Sequence, residues 1–193
     1  AADAQVGDDF QINPEQIESR YFGVLTKIFN VGRFVSQFDF DGDIDSVPDN
    51  LENEDKWILA EFSDLLAKAK VGYSGLDIYT AAQGIKTFST GIFASHWLEM
   101  SKTRLYNDDA SATWTLHRIF RDLLSILAPI CPFFTHHLST TLYEKSAVDV
   151  DTFPEIPMSG TAKWTKMTDS LVDFNSTVWK AKKDAGISLA API

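Results

Sequence analysis

The sequence predicts an all-α protein, an antiparallel helical bundle with a small C-terminal helical appendage. Apolar residues recur at helical spacing in one segment after another. Gly and Pro punctuate the chain between those segments, and no segment shows the alternation of a half-buried strand. With 193 residues, 45% of them hydrophobic, the chain has enough apolar surface for one sizeable core.

The first helix opens at Asn13-Pro14-Glu15-Gln16, where Asn can cap, Pro suits the first turn and Gln completes a capping box. Its apolar seam is Ile17, Tyr21, Val24, Ile28, Val31, Val35 and Phe38, spaced alternately four and three. An acidic loop with Pro48 near its end separates it from a second helix, from about Glu54 to Val71, which Gly72 and Gly75 close. A long third helix, from about Asp77 to Arg104, is expected to bury Ile78, Ala81, Ile85, Phe88 and Ile92. A fourth starts near Ser111 and carries Leu116, Ile119, Leu123 and Leu127 until Pro129 and Pro132 break it. A short fifth helix spans about Phe133 to Tyr143. Val148 to Pro157 reads as an extended linker, and a last helix sets Met167, Leu171, Phe174 and Val178 in register. The bundle is therefore expected over residues 1–147, with the linker and the start of the appendage over 148–193.

Net charge is −10, which by itself disfavours phosphate binding. The acidity is concentrated, however. Residues 39–55 hold Asp39, Asp41, Asp43, Asp45, Asp49, Glu52, Glu54 and Asp55 without one Lys or Arg, and the rest of the chain carries only −2. There is no apolar run long enough for a membrane span and no basic, apolar leader at the start, so no membrane partner is expected. The single cysteine, Cys131, fits a reducing, cytoplasmic setting. The chain lacks an initiator Met and stops just after a helical pattern, which reads as a piece of something longer.

No catalytic or metal site is assigned. The stretch Asp39-Phe40-Asp41-Gly42-Asp43-Ile44 resembles the start of a calcium loop, but its turn glycine is misplaced and Asn50 sits where a bidentate Glu belongs. On a helix His136 and His137 point about 100° apart. Cys131 lies among prolines and apolar residues, as a structural thiol would. What remains is a row beside the apolar seam of the first helix: Gln16, Arg20, Gly23, Lys27, Asn30 and Phe34, with Arg33 next to it. It can be a polar flank whose Phe34 joins the core. It can also be a platform for single-stranded bases, with an aromatic to stack, cations for phosphates and amides to read edges.

Four blocks carry a family resemblance. They are Phe22-Gly23-Val24-Leu25-Thr26-Lys27-Ile28-Phe29-Asn30-Val31-Gly32-Arg33-Phe34, Asp55-Lys56-Trp57-Ile58-Leu59, Ser95 to Tyr106, and Leu127-Ala128-Pro129-Ile130-Cys131-Pro132-Phe133-Phe134. In this order they resemble the helical anticodon-binding domain of class I aminoacyl-tRNA synthetases for branched aliphatic amino acids. The stretch Trp97 to Lys102 and the tail Phe174 to Lys183 are similar to the valyl branch of archaeal type. The resemblance implies a tRNA partner (the valine acceptor), attachment to the remainder of a synthetase chain, and no cofactor in this piece; ATP and Mg2+ would serve the full enzyme. It also implies that Phe34 and Leu98 sandwich the central anticodon base and that Lys27 lies near the anticodon, with Asn30 and Arg33 in the matching motif. Arg20, Lys102 and Arg104 would contact the tRNA backbone. The same domain of an isoleucyl or leucyl enzyme, or a helical protein-interaction module, stays open as an alternative.

Overall fold

The computed structural model describes residue 15 and residues 22–147, 152–158 and 160–187, and no strand occurs among them. Helix α1 (Phe22–Val35) buries Ile28, Val31 and Val35, as its four-three spacing requires. The expected start of this helix, from Asn13 through Tyr21, lies outside the described residues apart from Glu15, which is helical. An irregular acidic loop leads to α2 (Asn53–Ser74), whose N-terminus is a capping box between Glu52 and Asp55. Two glycines help to turn the chain: the Gly72 carbonyl accepts the Asp77 N–H at 2.8 Å, and Gly75 follows the last turn.

The expected third helix is one rod of three parts. Helix α3 (Ile78–Thr87) starts with Asp77 capping the Thr80 N–H at 3.0 Å. A π-helical segment, Phe88–Trp97, follows, and α4 (Leu98–Leu105) completes the rod. The π segment changes which residues face inward. Ordinary helical spacing after Phe88 places Ile92 in the core. Instead Phe93, five residues on, is fully buried and Ile92 only half-buried, because each π turn takes up more chain. Phe88, Phe93 and Trp97 then form a stack of near-parallel rings, with centroids 5.9 Å and 5.5 Å apart, and Phe62 of α2 packs on Phe88 at 5.2 Å. Burying a large aromatic side chain contributes about 1.5–3 kcal/mol, so this stack is a main support of the bundle.

Asp109 caps α5 (Ala110–Leu127) by accepting the Ala112 N–H at 2.9 Å. Helix α5 is the central element, with Leu116, Ile119, Phe120, Leu123 and Leu124 sealed from solvent. It runs antiparallel to α1: Phe120 lies against Gly32, while His117, one turn earlier, meets the Phe38 carbonyl. A Cβ on Gly32 would stand 3.1 Å from the Phe120 ring and 3.3 Å from Leu138, so glycine permits this close approach. After the proline turn, α6 (Pro132–Tyr143) begins with Pro at its first position.

The tail folds back on the bundle. Residues 152–158, within the expected linker, are neither helix nor strand, and its first residues 148–151 lie outside the described set. They are followed by a short turn, α7 (Ala162–Thr165), and by α8 (Thr168–Asp184). Trp57 Nε1 donates to Thr168 Oγ1 at 2.9 Å, and the Trp179 ring stacks on His96 at 5.1 Å. The described tail residues thus lie against α2 and the π segment.

Candidate functional site

Helix α1 presents its predicted row along the edge of the buried seam. Asn30 and Arg33 are exposed, and neither side chain has a partner among the described residues. Phe34, one residue beyond Arg33, is half-buried. Its ring is 5.0 Å from Phe38 and 6.2 Å from Tyr106, which stands perpendicular to it. Phe38 and Tyr106 are 5.4 Å apart, closing a cluster of three rings at the end of the bundle. One side of Phe34 thus joins the core and the rest stays open.

The other predicted residues divide by how they are already engaged. Lys27 does not point into solvent. Its ammonium donates to the Thr90 carbonyl and, at 2.9 Å, to Ser95 Oγ, both in the π segment. Ser95 Oγ also donates to the Thr90 carbonyl at 2.7 Å, so Lys27 ties α1 to the place where the rod is unwound. Leu98 is 5% exposed and belongs to the core cluster. It cannot be the opposite wall of an open base sandwich, because α2 and α5 close the bundle around the rod that carries it. The family position was legible in sequence, but its accessibility was set by packing.

Arg104 is corrected most sharply. Its Nη1 and Nη2 donate to the two Asp55 carboxylate oxygens at 3.0 and 2.7 Å. Its Nε and Nη2 donate to Asp109 at 3.0 and 3.1 Å, and Nη1 lies 3.2 Å from Glu54 Oε1. Four hydrogen bonds thus run from the guanidinium to two carboxylates, with a third carboxylate close by. Burial works against its charge, but the hydrogen bonds it donates to Asp55 and Asp109, with their negative charges, outweigh that and hold its pKa above the ordinary arginine value. Arg104 thus locks the ends of α2, α4 and α5 together, its guanidinium committed to Asp55 and Asp109. Lys102 makes only a partly exposed pair with Glu99 at 2.6 Å. A pair of that kind is weak, so a phosphate can displace it. Arg20 lies outside the described residues.

Two participants escaped sequence reasoning. Phe38 was read as the last seam position, and Tyr106 as the end of a matching block. The available signal was the i, i+4 spacing of Phe34 and Phe38, which puts both rings on one face. For Tyr106 no local signal existed, since its neighbour Phe34 is 72 residues away.

The acidic loop is largely occupied with the chain itself. Arg118, nearly sealed from solvent, donates to Asp122 at 2.8 Å, to the Ile44 carbonyl and Asp45 at 3.1 Å, and to the Glu155 carbonyl at 2.8 Å. Arg121 reaches Asp45 at 2.7 Å and Asp122 at 2.9 Å. The hydrogen bond from Arg121, with the charges of Arg121, Arg118 and Lys145, keeps the Asp45 carboxyl below its ordinary range. Among the described residues no group of three His, Cys, Asp or Glu side chains is arranged to hold a metal ion. No described helix is long and apolar enough to cross a membrane.

Comparison with known proteins agrees with this arrangement. Residues 55–193 match the family described as the anticodon-binding domain of tRNA ligase. A valine–tRNA ligase of Sulfurisphaera tokodaii is 34% identical over 159 residues, covering 80% of this chain and 19% of the relative. One of Saccharolobus solfataricus is 30% identical over 193 residues, covering 99% of the chain and 23% of the relative. One of Pyrobaculum aerophilum is 32% identical over 205 aligned residues, covering 98% and 24% respectively. The chain thus spans about a fifth to a quarter of the length of these relatives. A match over most of the chain, on a helical bundle, places this protein in the family of anticodon-binding domains of tRNA ligases.

Proposed function

We propose that this chain recognises the anticodon of a valine-accepting tRNA on behalf of a valine–tRNA ligase in the cytoplasm. The rest of that enzyme would activate valine with ATP and Mg2+ and esterify the 3′ end of the tRNA. Residues 1–147 are the reading bundle in this proposal, and 148–193 begin the appendage. One observation carries the reading: Asn30, Arg33 and Phe34 stand together at the open edge of α1, the two polar side chains without a partner among the described residues and the ring partly free. That set offers an amide to read a base edge, a cation for a phosphate and a face on which a base can stack. Lys102, across a weak pair, is a further candidate for the backbone, whereas Lys27, Leu98 and Arg104 act by holding the bundle in shape.

Valine anticodons share their second and third bases, so the domain should grip those and tolerate the first. The test is binding of RNA hairpins carrying a valine anticodon loop, an isoleucine anticodon loop, or a valine loop with its central base exchanged. The valine loop is expected to bind best. Phe34→Leu keeps an apolar contact with Phe38 but loses the aromatic face. It is expected to weaken the valine hairpin by about 5- to 150-fold, the loss of one base–aromatic stack, with an unchanged melting temperature. Equal affinity for all three hairpins would defeat the reading.

A further inference from the structure

We propose that Tyr106 is a second stacking platform, holding the base next to the one on Phe34. This rests on the anticodon reading above and adds to it a residue that the sequence did not assign. Tyr106 is 62% exposed, and its hydroxyl has no partner among the described residues. Such a large open ring is anchored on a stiff support. Its N–H donates to the Lys102 carbonyl at 3.0 Å, and the Arg104 carbonyl accepts from both Asn107 and Asp109, at 3.0 and 3.1 Å. The Arg104 guanidinium pins the same turn to Asp55 and Asp109. The ring's base is thus fixed before any ligand arrives, so stacking costs little ordering entropy.

The ring geometry decides how many bases are held. A base between two parallel rings needs about 7 Å, twice the roughly 3.5 Å contact distance of stacked atoms. Phe34 and Tyr106 have centroids 6.2 Å apart and planes at 90°, so they cannot sandwich one base between them. Each ring instead offers its own face in a different direction. Consecutive nucleotides of a single-stranded loop can be splayed and turned independently, which suits two perpendicular platforms. Charge points the same way. Asp108, exposed and in a left-handed conformation at φ 56°, and Asp109 flank Tyr106 on the chain and repel phosphate. Arg33 lies beside Phe34. The arrangement therefore favours a neutral base face at Tyr106, with Arg33 on α1 and Lys102, one turn before Tyr106, as the cations for the backbone on either side.

The test is a cycle between protein and RNA. Valine-loop hairpins with an abasic residue at each anticodon position in turn are titrated against the chain and its Tyr106→Phe, Tyr106→Leu and Phe34→Leu variants. Tyr106→Phe is expected to bind within about twofold of the parent, and Tyr106→Leu about 5- to 150-fold more weakly. Removing one base adjacent to the central base should abolish the Tyr106→Leu effect and leave the Phe34→Leu effect in place. A merely structural role would produce no such position dependence, and the melting temperature of Tyr106→Leu should match the parent's. Three results overturn the proposal: a Tyr106→Leu effect equal at every abasic position, one tied to the central base, or a Tyr106→Phe loss as large as that of leucine. If Tyr106→Leu is silent while Phe34→Leu still weakens binding, this proposal fails and the anticodon reading stands. If neither variant matters, both fail.

Discussion

Two regions of this molecule are rich in arginine and aromatic side chains, and they use them in opposite ways. At the bundle end, Arg33 has no partner among the described residues and Phe34 and Tyr106 are partly open. Along α5, Arg118 makes bonds to two carboxylates and two backbone carbonyls from three separate segments, and Phe40 is stacked on His117. The difference lies in where the donors go, since the residue types are alike. A guanidinium whose N–H groups are spent on its own chain is structural, and one whose groups are unspent is a candidate for a ligand. In a chain of net charge −10, counting cations says little; counting unsatisfied donors says more.

The largest effect should come from breaking the closed region. Arg118→Ala leaves Asp122, 2% exposed, with Arg121 alone, and strands the carbonyls of Ile44 and Glu155. Removing one partner of a buried ion pair costs about 3–5 kcal/mol, which urea denaturation would measure directly. Replacing the pair together, as Arg118→Met with Asp122→Leu, should recover much of that loss, because the two costs share one desolvated charge. A loss below about 1 kcal/mol for Arg118→Ala would mean that the clasp of acidic loop, α5 and linker contributes little.

How far this contrast could be foreseen differs by residue. The seam of α1 was legible because Ile28, Val31 and Val35 depend only on local periodicity and on having a core to face. The acidic loop was legible as a loop, but its use was not, since Asp45 finds Arg118 and Arg121 more than 70 residues on. The π segment was invisible for the same reason. Its sequence fits an ordinary helix, and the Thr90 carbonyl within it is met by Lys27, 63 residues earlier. Arg33 and Arg104 look equally available in sequence. Only the arrival of Asp55 and Asp109 around Arg104 separates them. Resemblance pointed to this surface of α1, but in sequence a residue left open, such as Arg33, looks the same as residues the fold engages, such as Lys27 and Arg104.

Arg33 and Arg104 sharpen the comparison at a smaller scale. Arg33→Ala removes an exposed cation without a partner among the described residues and should leave unfolding unchanged. If it meets a phosphate, the slope of log affinity against log salt should fall by about 0.7 to 1, the release of one counterion. Arg104→Ala should do the reverse, lowering stability while leaving the salt slope of whatever folded protein remains. An unchanged slope for Arg33→Ala would remove it from the interface; a reduced slope for Arg104→Ala would return that residue to it.

The smallest effect concerns His117, which stands between the two regions. Its Nε2 lies 2.7 Å from the Phe38 carbonyl, and a carbonyl only accepts, so Nε2 carries the proton. Nδ1 is buried without a hydrogen-bond partner, and a second proton there would have no acceptor. Burial accordingly holds the His117 pKa below the ordinary histidine value, against the opposing pull of the Phe38 carbonyl and Asp39. His96 is shifted the same way, by burial and by the nearby Lys27 charge. A histidine whose folded pKa is depressed takes up its proton more readily in the unfolded chain. Stability should therefore fall as pH drops through the ordinary histidine range, and level off once the folded pKa is passed. Thermal unfolding between neutral pH and about pH 5.5 checks this, and His117→Gln, which can still donate to the Phe38 carbonyl, should flatten the curve. Because that carbonyl belongs to a residue of the ring cluster, acid should also weaken hairpin binding slightly in the parent and less in His117→Gln. Identical pH profiles for the two proteins would show that the closed region does not report to the open one through this bond.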